Sequence, residues 1–267
     1  MRKIKGPVLA VAATLLLWLP TASAEEACKD DDSVSEETKG DCQDEAEEEP
    51  DTDWFPGSLS GSATIITDYS FRGVSQTQRD TALQGSIGWS HDSGFYTGLW
   101  GSSVTLGDAF LEQDFYAGYA NSVGDFSYDL SLVFFYYPQE SDFNYFEIVG
   151  KTSYDFDFLT AKLGLVYSPD IIGGYFGTLG TGFYVPFGFA IPIPEDIKYF
   201  DMTVDANAGY TSTEKDIFED CYYWDWNVGL NVALPVGLSF DFRYVDTDVK
   251  NVHDAGARFI FGTTYAF

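Results

Sequence analysis

Long segments of this chain alternate apolar and polar residues at every second position. Such a pattern fits only strands with one face in an apolar medium and the other in a polar one. In "YFDMTVDANAGYT", Phe200, Met202, Val204, Ala206, Ala208 and Tyr210 share one face, and Asp201, Thr203, Asp205, Asn207, Gly209 and Thr211 the other. In "YWDWNVGLNVALP", Trp224, Trp226, Val228, Leu230, Val232 and Leu234 oppose Asp225, Asn227, Gly229, Asn231 and Ala233. In "GLSFDFRYV", Leu238, Phe240, Phe242 and Tyr244 oppose Ser239, Asp241 and Arg243. Twelve such segments are expected, at 58–71, 82–90, 94–105, 112–121, 125–137, 143–154, 158–168, 177–190, 199–211, 222–234, 236–246 and 255–267. Many are longer than an average soluble strand and suit a tilted crossing of a bilayer.

The connections favour a barrel over a sandwich. Short links ("HDSG", "SVGD", "DFD", "PIPEDIK", "PVG") alternate with longer polar ones ("RGVSQTQRD", "LGDAFLE", "PQESDFN", "SPDIIGGYFG", "STEKDIFEDC", "DTDVKNVHDAG"). Outer-membrane barrels segregate turns and loops in this way, whereas Greek-key sandwiches scatter their long links. Aromatics near expected strand ends, among them Tyr69, Phe71, Trp89, Phe95, Trp100, Tyr119, Tyr136, Tyr167, Tyr210, Trp224 and Tyr265, fit interfacial girdles. The expected fold is all-β, a transmembrane antiparallel up-and-down barrel of about 12 strands over residues 54–267.

Residues 1–24 read as a cleaved signal peptide, with Arg2, Lys3 and Lys5, an apolar run and Ala22-Ser23-Ala24. Export to the outer membrane of a Gram-negative bacterium follows as an expectation. Residues 25–53 hold fifteen Asp/Glu against Lys29 and Lys39, with no hydrophobic period, and are expected to be a disordered periplasmic extension. Cys28 and Cys42 there are candidates for a disulfide in an oxidising compartment. Neither a zinc-ligand spacing nor a calcium loop is present, so no metal and no cofactor is expected. A formal charge of −28 opposes nucleic-acid binding.

The chain closes on "ARFIFGTTYAF". Phe259, Phe261, Tyr265 and Phe267 are expected to face lipid as an assembly signal for the barrel-assembly machinery, with Arg258, Gly262 and Thr264 inward. Charges elsewhere on the polar faces must also point inward, since a lipid-facing Arg or Lys at midplane costs about 2–4 kcal/mol. The candidate pore-lining residues are therefore Asp68, Arg72, Gln84, Asp114, Asp129, Glu147, Lys151, Lys162, Asp205, Asn207, Asp225, Asn227, Asp241, Arg243 and Arg258. They point to passive diffusion of small solutes with a cation preference. The alternative is a closed barrel whose acidic loops bind a surface partner, or divalent cations at the lipopolysaccharide layer. No enzyme is expected: His91 falls in a short turn and His253 in a long loop at the opposite side, so neither can join the other in a catalytic constellation. Outer-membrane lipid and lipopolysaccharide are the expected surroundings, and the oligomeric state is left open.

One stretch carries more than periodicity. "DYSFRGVSQT" (68–77), then Ala82-Leu83-Gln84-Gly85, Gly94-Phe95-Tyr96 and Trp100-Gly101-Ser102, resembles the N-terminal signature of the TorF-type porins, a proteobacterial outer-membrane family. The resemblance implies a single porin-like barrel and no catalytic residues; the long acidic extension departs from it. Within the motif, Gly73 permits a bend, and Arg72 either caps the lumen mouth or pairs with Asp68 to brace the rim.

Overall fold

The computed structural model describes residues 56–171, 173, 179–194 and 200–267. The expected signal peptide, the acidic extension, and Cys28 and Cys42 lie outside these residues. The strands are β1 (Ser58–Ile66), β2 (Ser70–Phe71), β3 (Val74–Ser75), β4 (Ala82–Ser90), β5 (Phe95–Leu106), β6 (Ala109–Val123), β7 (Phe126–Tyr136), β8 (Tyr145–Asp155), β9 (Thr160–Ser168), β10 (Gly182–Pro192), β11 (Asp201–Thr213), β12 (Tyr222–Ala233), β13 (Leu238–Thr247) and β14 (Arg258–Ala266). All but β2 and β3 form one closed antiparallel barrel of 12 strands in the order β1-β14-β13-β12-β11-β10-β9-β8-β7-β6-β5-β4.

Closure uses the last residue. Gly61 and Phe267 exchange both backbone hydrogen bonds, at 2.9 and 3.0 Å, and β1 pairs β14 from Ser62↔Ala266 to Ile66↔Gly262. A Cβ at Gly61 would stand 2.6 Å from the Phe267 ring, so glycine there lets the terminal aromatic lie across the seam.

The alternation resolves as expected. Leu83, Ile87, Leu99, Leu132, Leu163, Val228, Phe242 and Phe259 are exposed on the outer wall, while Gln84, Ser102, Asp114, Glu147, Asp205, Asp225 and Arg243 are buried inside. An apolar wall running round the whole circumference far exceeds the roughly 300–600 Å² patch typical of a soluble monomer. Its compatible surrounding is hydrocarbon. The 12 residues of β5 rise about 40 Å, which at a tilt of about 45° spans about 28 Å, close to a bilayer core.

Aromatic pairs ring both ends of the outer wall. Phe95, Tyr119 and Tyr128 cluster at the end with short turns, with centroids 5.1 and 6.3 Å apart. Tyr210 and Trp224, 4.9 Å apart, sit at the end with long loops, as do Tyr167 and Phe183 at 5.3 Å. Three residues expected in the girdles are instead inside the barrel: Tyr69, Phe71 and Trp100 are buried.

Two connections differ from expectation. "LGDAFLE" is no loop: β5 and β6 run on to a two-residue turn at 107–108, where Gly107 takes φ 57° and a hairpin closes tightly. The first strand stops at Ile66 rather than at 71. Segment 67–81 leaves the wall and folds into the lumen.

Candidate functional site in the barrel lumen

Segment 67–81 is built around a small β-hairpin, with β2 and β3 pairing Ser70↔Ser75 and Phe71↔Val74. Its tip is Arg72-Gly73, at φ 48° and 82°. Two successive residues of positive φ make the mirror-image turn that matches strand twist, and an arginine in that conformation is unusual. It is held by its side chain. Arg72 Nη2 donates to both oxygens of Glu147, at 2.7 and 2.8 Å, and its guanidinium lies between the Phe71 and Tyr184 rings, 4.7 and 4.5 Å from their centroids. Both partners of the ion pair are fully buried.

The rest of the segment is anchored round the circumference. Tyr69 donates to Glu112 at 2.8 Å and meets Trp100 edge-on at 5.4 Å; Tyr137 donates to the other Glu112 oxygen at 2.6 Å. Phe71 packs on Phe135 at 6.1 Å. Asp68 accepts from Ser75, from Thr77 at 3.0 Å and from Arg258 Nε, while Arg258 Nη1 donates to the Gly73 carbonyl at 3.0 Å. The hairpin thus touches β5, β6, β7, β8, β10 and β14, and its tip abuts β12. An eight-stranded barrel is filled by its own side chains and a sixteen-stranded one leaves a channel. This barrel, between the two, is narrowed by its own first loop.

Nearer the turn end, the lumen is crossed by a second network centred on Arg243. Its Nη1 and Nη2 donate to the two Asp205 oxygens at 2.7 and 2.9 Å, and Nε and Nη2 donate to Asp241 at 3.1 and 2.9 Å. Asn207 and Asn231 donate to Asp205 at 2.6 and 2.8 Å, and Asn207 reaches Asn227 at 3.0 Å. A Cβ at Gly229 would fall 2.6 Å from the guanidinium carbon, so only glycine lets Arg243 lie flat against the β12 wall. Asp129 accepts from Tyr96 at 2.6 Å and stands opposite Lys151 in the β7–β8 register.

Between the hairpin and the Arg243 network is a cavity of about 70 Å³. Its lining includes Arg72, Tyr184, Asp225, Asn227, Lys162 and Arg243. A second cavity, about 110 Å³, opens on the loop side of the hairpin, among Phe71, Tyr137, Phe143, Tyr145, Phe218 and Tyr223.

Nine of the fifteen sequence-derived site residues fall into two clusters, and the other six are dispersed. Asp205, Asn207, Asn227, Asp241 and Arg243 meet in the lower network. Asp68, Arg72, Glu147 and Arg258 meet at the hairpin, but in pairs other than expected: Asp68 takes Arg258 and Arg72 takes Glu147. Arg72 therefore lies within the lumen and does not cap its mouth. Gln84 bonds Ser102 at 3.3 Å, Lys162 and Asp225 line the cavity, and Asp129 and Lys151 face each other apart from both networks. Asp114 is fully buried, and neither carboxylate oxygen has a hydrogen-bond partner among the described residues. Glu112 and Tyr184 are missing from the sequence-derived set. Glu112 stands where the expected loop "LGDAFLE" meets the expected segment 112–121, and the structure makes it part of β6. Tyr184 sits in "GFYVPFGFA", which is apolar on both faces and offers no signal of orientation. His91 and His253 lie at opposite ends of the barrel, in the β4–β5 turn and the β13–β14 loop.

A closed antiparallel barrel with an apolar outer wall, aromatic girdles and a charged lumen narrowed by a loop defines a transmembrane β-barrel of the porin type. Solved porins share the architecture. A KdgM porin superposes with a TM-score of 0.55 at 12% identity, covering 78% of this chain and 99% of the porin. A NanC porin gives 0.52 at 10% identity, covering 78% and 98%. The chain belongs to the family described as "Bacterial protein of unknown function (Gcw_chp)", which it matches over residues 50–265. No curated protein matches its sequence.

Proposed function

We propose that this chain is a narrow diffusion channel in the outer membrane of a Gram-negative bacterium, passing small neutral solutes and cations. The carrying observation is the charge of a polar lumen. Asp68, Glu112, Asp114, Asp129, Glu147, Asp205, Asp225 and Asp241 outnumber Arg72, Lys151, Lys162, Arg243 and Arg258 inside the barrel wall. Excess carboxylate raises the local concentration of cations and lowers that of anions. A KdgM porin is described in complex with disordered oligogalacturonate, an acidic sugar chain; the acid excess here opposes such a cargo. The short turns are assigned to the periplasm and the long loops to the outside. The resemblance of 68–104 to the TorF-type porins supports the same reading.

Planar-bilayer recording from refolded protein, with reversal potential under a KCl gradient, tests it. Discrete steps with K⁺ favoured over Cl⁻ are expected, and anion preference would refute the selectivity. The inward-folded hairpin that narrows the lumen favours the second reading, a closed barrel whose acidic outer loops, with Glu214, Asp216, Glu219 and Asp220 among them, hold divalent cations or a surface partner. Silence from folded protein would select it.

The tip of the hairpin offers a further check. A Cβ at Gly73 would stand 2.8 Å from Asp225 Cβ and 3.0 Å from Thr247 Cβ, at a backbone φ of 82°. Gly73→Val is expected to push the tip off the β12–β13 wall and raise unitary conductance above wild type. An unchanged conductance in the folded variant would place the constriction elsewhere.

A further inference from the structure

We infer that the cavity beneath the hairpin is a binding site for a small zwitterion, an α-amino acid of the size of glycine. Two opposite charges lining it are buried and incompletely used. Arg72 is 3% exposed, and its Nε and Nη1 have no hydrogen-bond partner among the described residues, its Nη2 alone serving Glu147. Asp225 is 4% exposed; its Oδ1 accepts from Tyr184 at 3.2 Å, and its Oδ2 has no hydrogen-bond partner among the described residues. Tyr184 ties the two together, its ring against the Arg72 guanidinium and its hydroxyl on Asp225. The neighbouring charges Asp68, Asp241 and Arg243 are already ion-paired.

Buried polar groups left unmatched are costly, more so when charged. Here the unmatched set is two N–H donors of a guanidinium whose charge Glu147 already balances, and one anionic acceptor, on the same cavity. A carboxylate fits the guanidinium edge, and an ammonium fits Asp225 Oδ2. A simple anion would take the free guanidinium donors but be repelled by Asp225 and by Glu147; a simple cation would satisfy Asp225 and leave those donors unmatched. A cavity of about 70 Å³ holds about five waters, close to the five heavy atoms of glycine. A zwitterion has no net charge, so it agrees with the solutes assigned above, and its role as a station on the conduction path rests on that channel reading.

Titration calorimetry of the folded, signal-free chain in detergent tests the site, with glycine, acetate and methylammonium as probes. The same preparation is recorded in planar bilayers with KCl. Saturable glycine binding is expected, with both half-ligands weaker by at least about tenfold. Asp225→Asn, which keeps an acceptor for Tyr184 but loses the charge, is expected to weaken glycine by at least about tenfold. Arg72→Lys keeps a cation at Glu147 while withdrawing the planar donors, and provides the same readout should Asp225→Asn misfold. Absence of saturable glycine binding would overturn the proposal, as would acetate or methylammonium matching glycine, or a folded variant binding glycine unchanged. Conductance without glycine binding rejects the site and leaves the channel; glycine binding by a silent barrel rejects the channel and leaves the site.

Discussion

Arg243→Met lowers the unfolding free energy of the lipid-embedded barrel by about 3–5 kcal/mol, read from urea titrations in phospholipid vesicles. The arginine bonds Asp205 through two nitrogens and Asp241 through two contacts; the Arg243 and Asp205 side chains are almost wholly withdrawn from solvent and that of Asp241 mostly so. Removing it leaves two carboxylates facing each other across β11, β12 and β13 where little solvent reaches them. Methionine fills the volume but supplies no donor. All three strands belong to the barrel wall, so nothing local can release the strain and the loss falls on the whole barrel. Replacing all three residues together, Asp205→Asn and Asp241→Asn with Arg243→Met, is expected to recover most of the loss, because the cost lies in the uncompensated charge. A loss below about 1 kcal/mol for the single variant would mean that water reaches these carboxylates freely.

Arg72→Met removes a pair of the same kind and is expected to behave differently. Glu147 loses both of its charge-assisted hydrogen bonds, a local cost again of about 3–5 kcal/mol. Here the unmatched partner stands opposite a hairpin that can leave. Withdrawal of 67–81 rehydrates Glu147, so the free energy appears as release of the segment and the wall stays folded. Trypsin cleavage after the exposed Arg79 is expected to accelerate by at least about tenfold, and the unfolding midpoint to move less than in Arg243→Met. Conductance should rise in the same variant. Equal protection of wild type and variant from trypsin would show that Tyr69–Glu112 and Asp68–Arg258 hold the hairpin without the arginine.

Much of this was readable along the chain, and the reasons are particular. In β12, Trp224, Trp226 and Val228 against Asp225, Asn227 and Gly229 leave one assignment of faces, and Asp225 is inside as expected. The lower network was legible as a set, because Asp205, Asn207, Asn227, Asp241 and Arg243 lie on polar faces of three consecutive strands. Trp100 misleads the same reasoning: its face of β5 also holds Tyr96 and Val104, and an aromatic turned inward looks in sequence like one turned to lipid. Glu112 lies at the edge of an expected loop, because the only sequence sign of the tight turn is Gly107-Asp108.

By itself the sequence determined the twelve wall strands, the outward side of those with clean alternation such as β11, β12 and β13, and an interior rich in carboxylates. A period of two is local, since each residue's face follows from its neighbour's. The tertiary structure decided the partners: Arg72 with Glu147, 75 positions apart, and Asp68 with Arg258, 190 positions apart. Those meetings depend on where the closed barrel brings opposite walls and on one loop turning inward. The turn at Arg72-Gly73 makes the hairpin possible, but only the ring of distant side chains that receives it makes inward folding more stable than solvation outside.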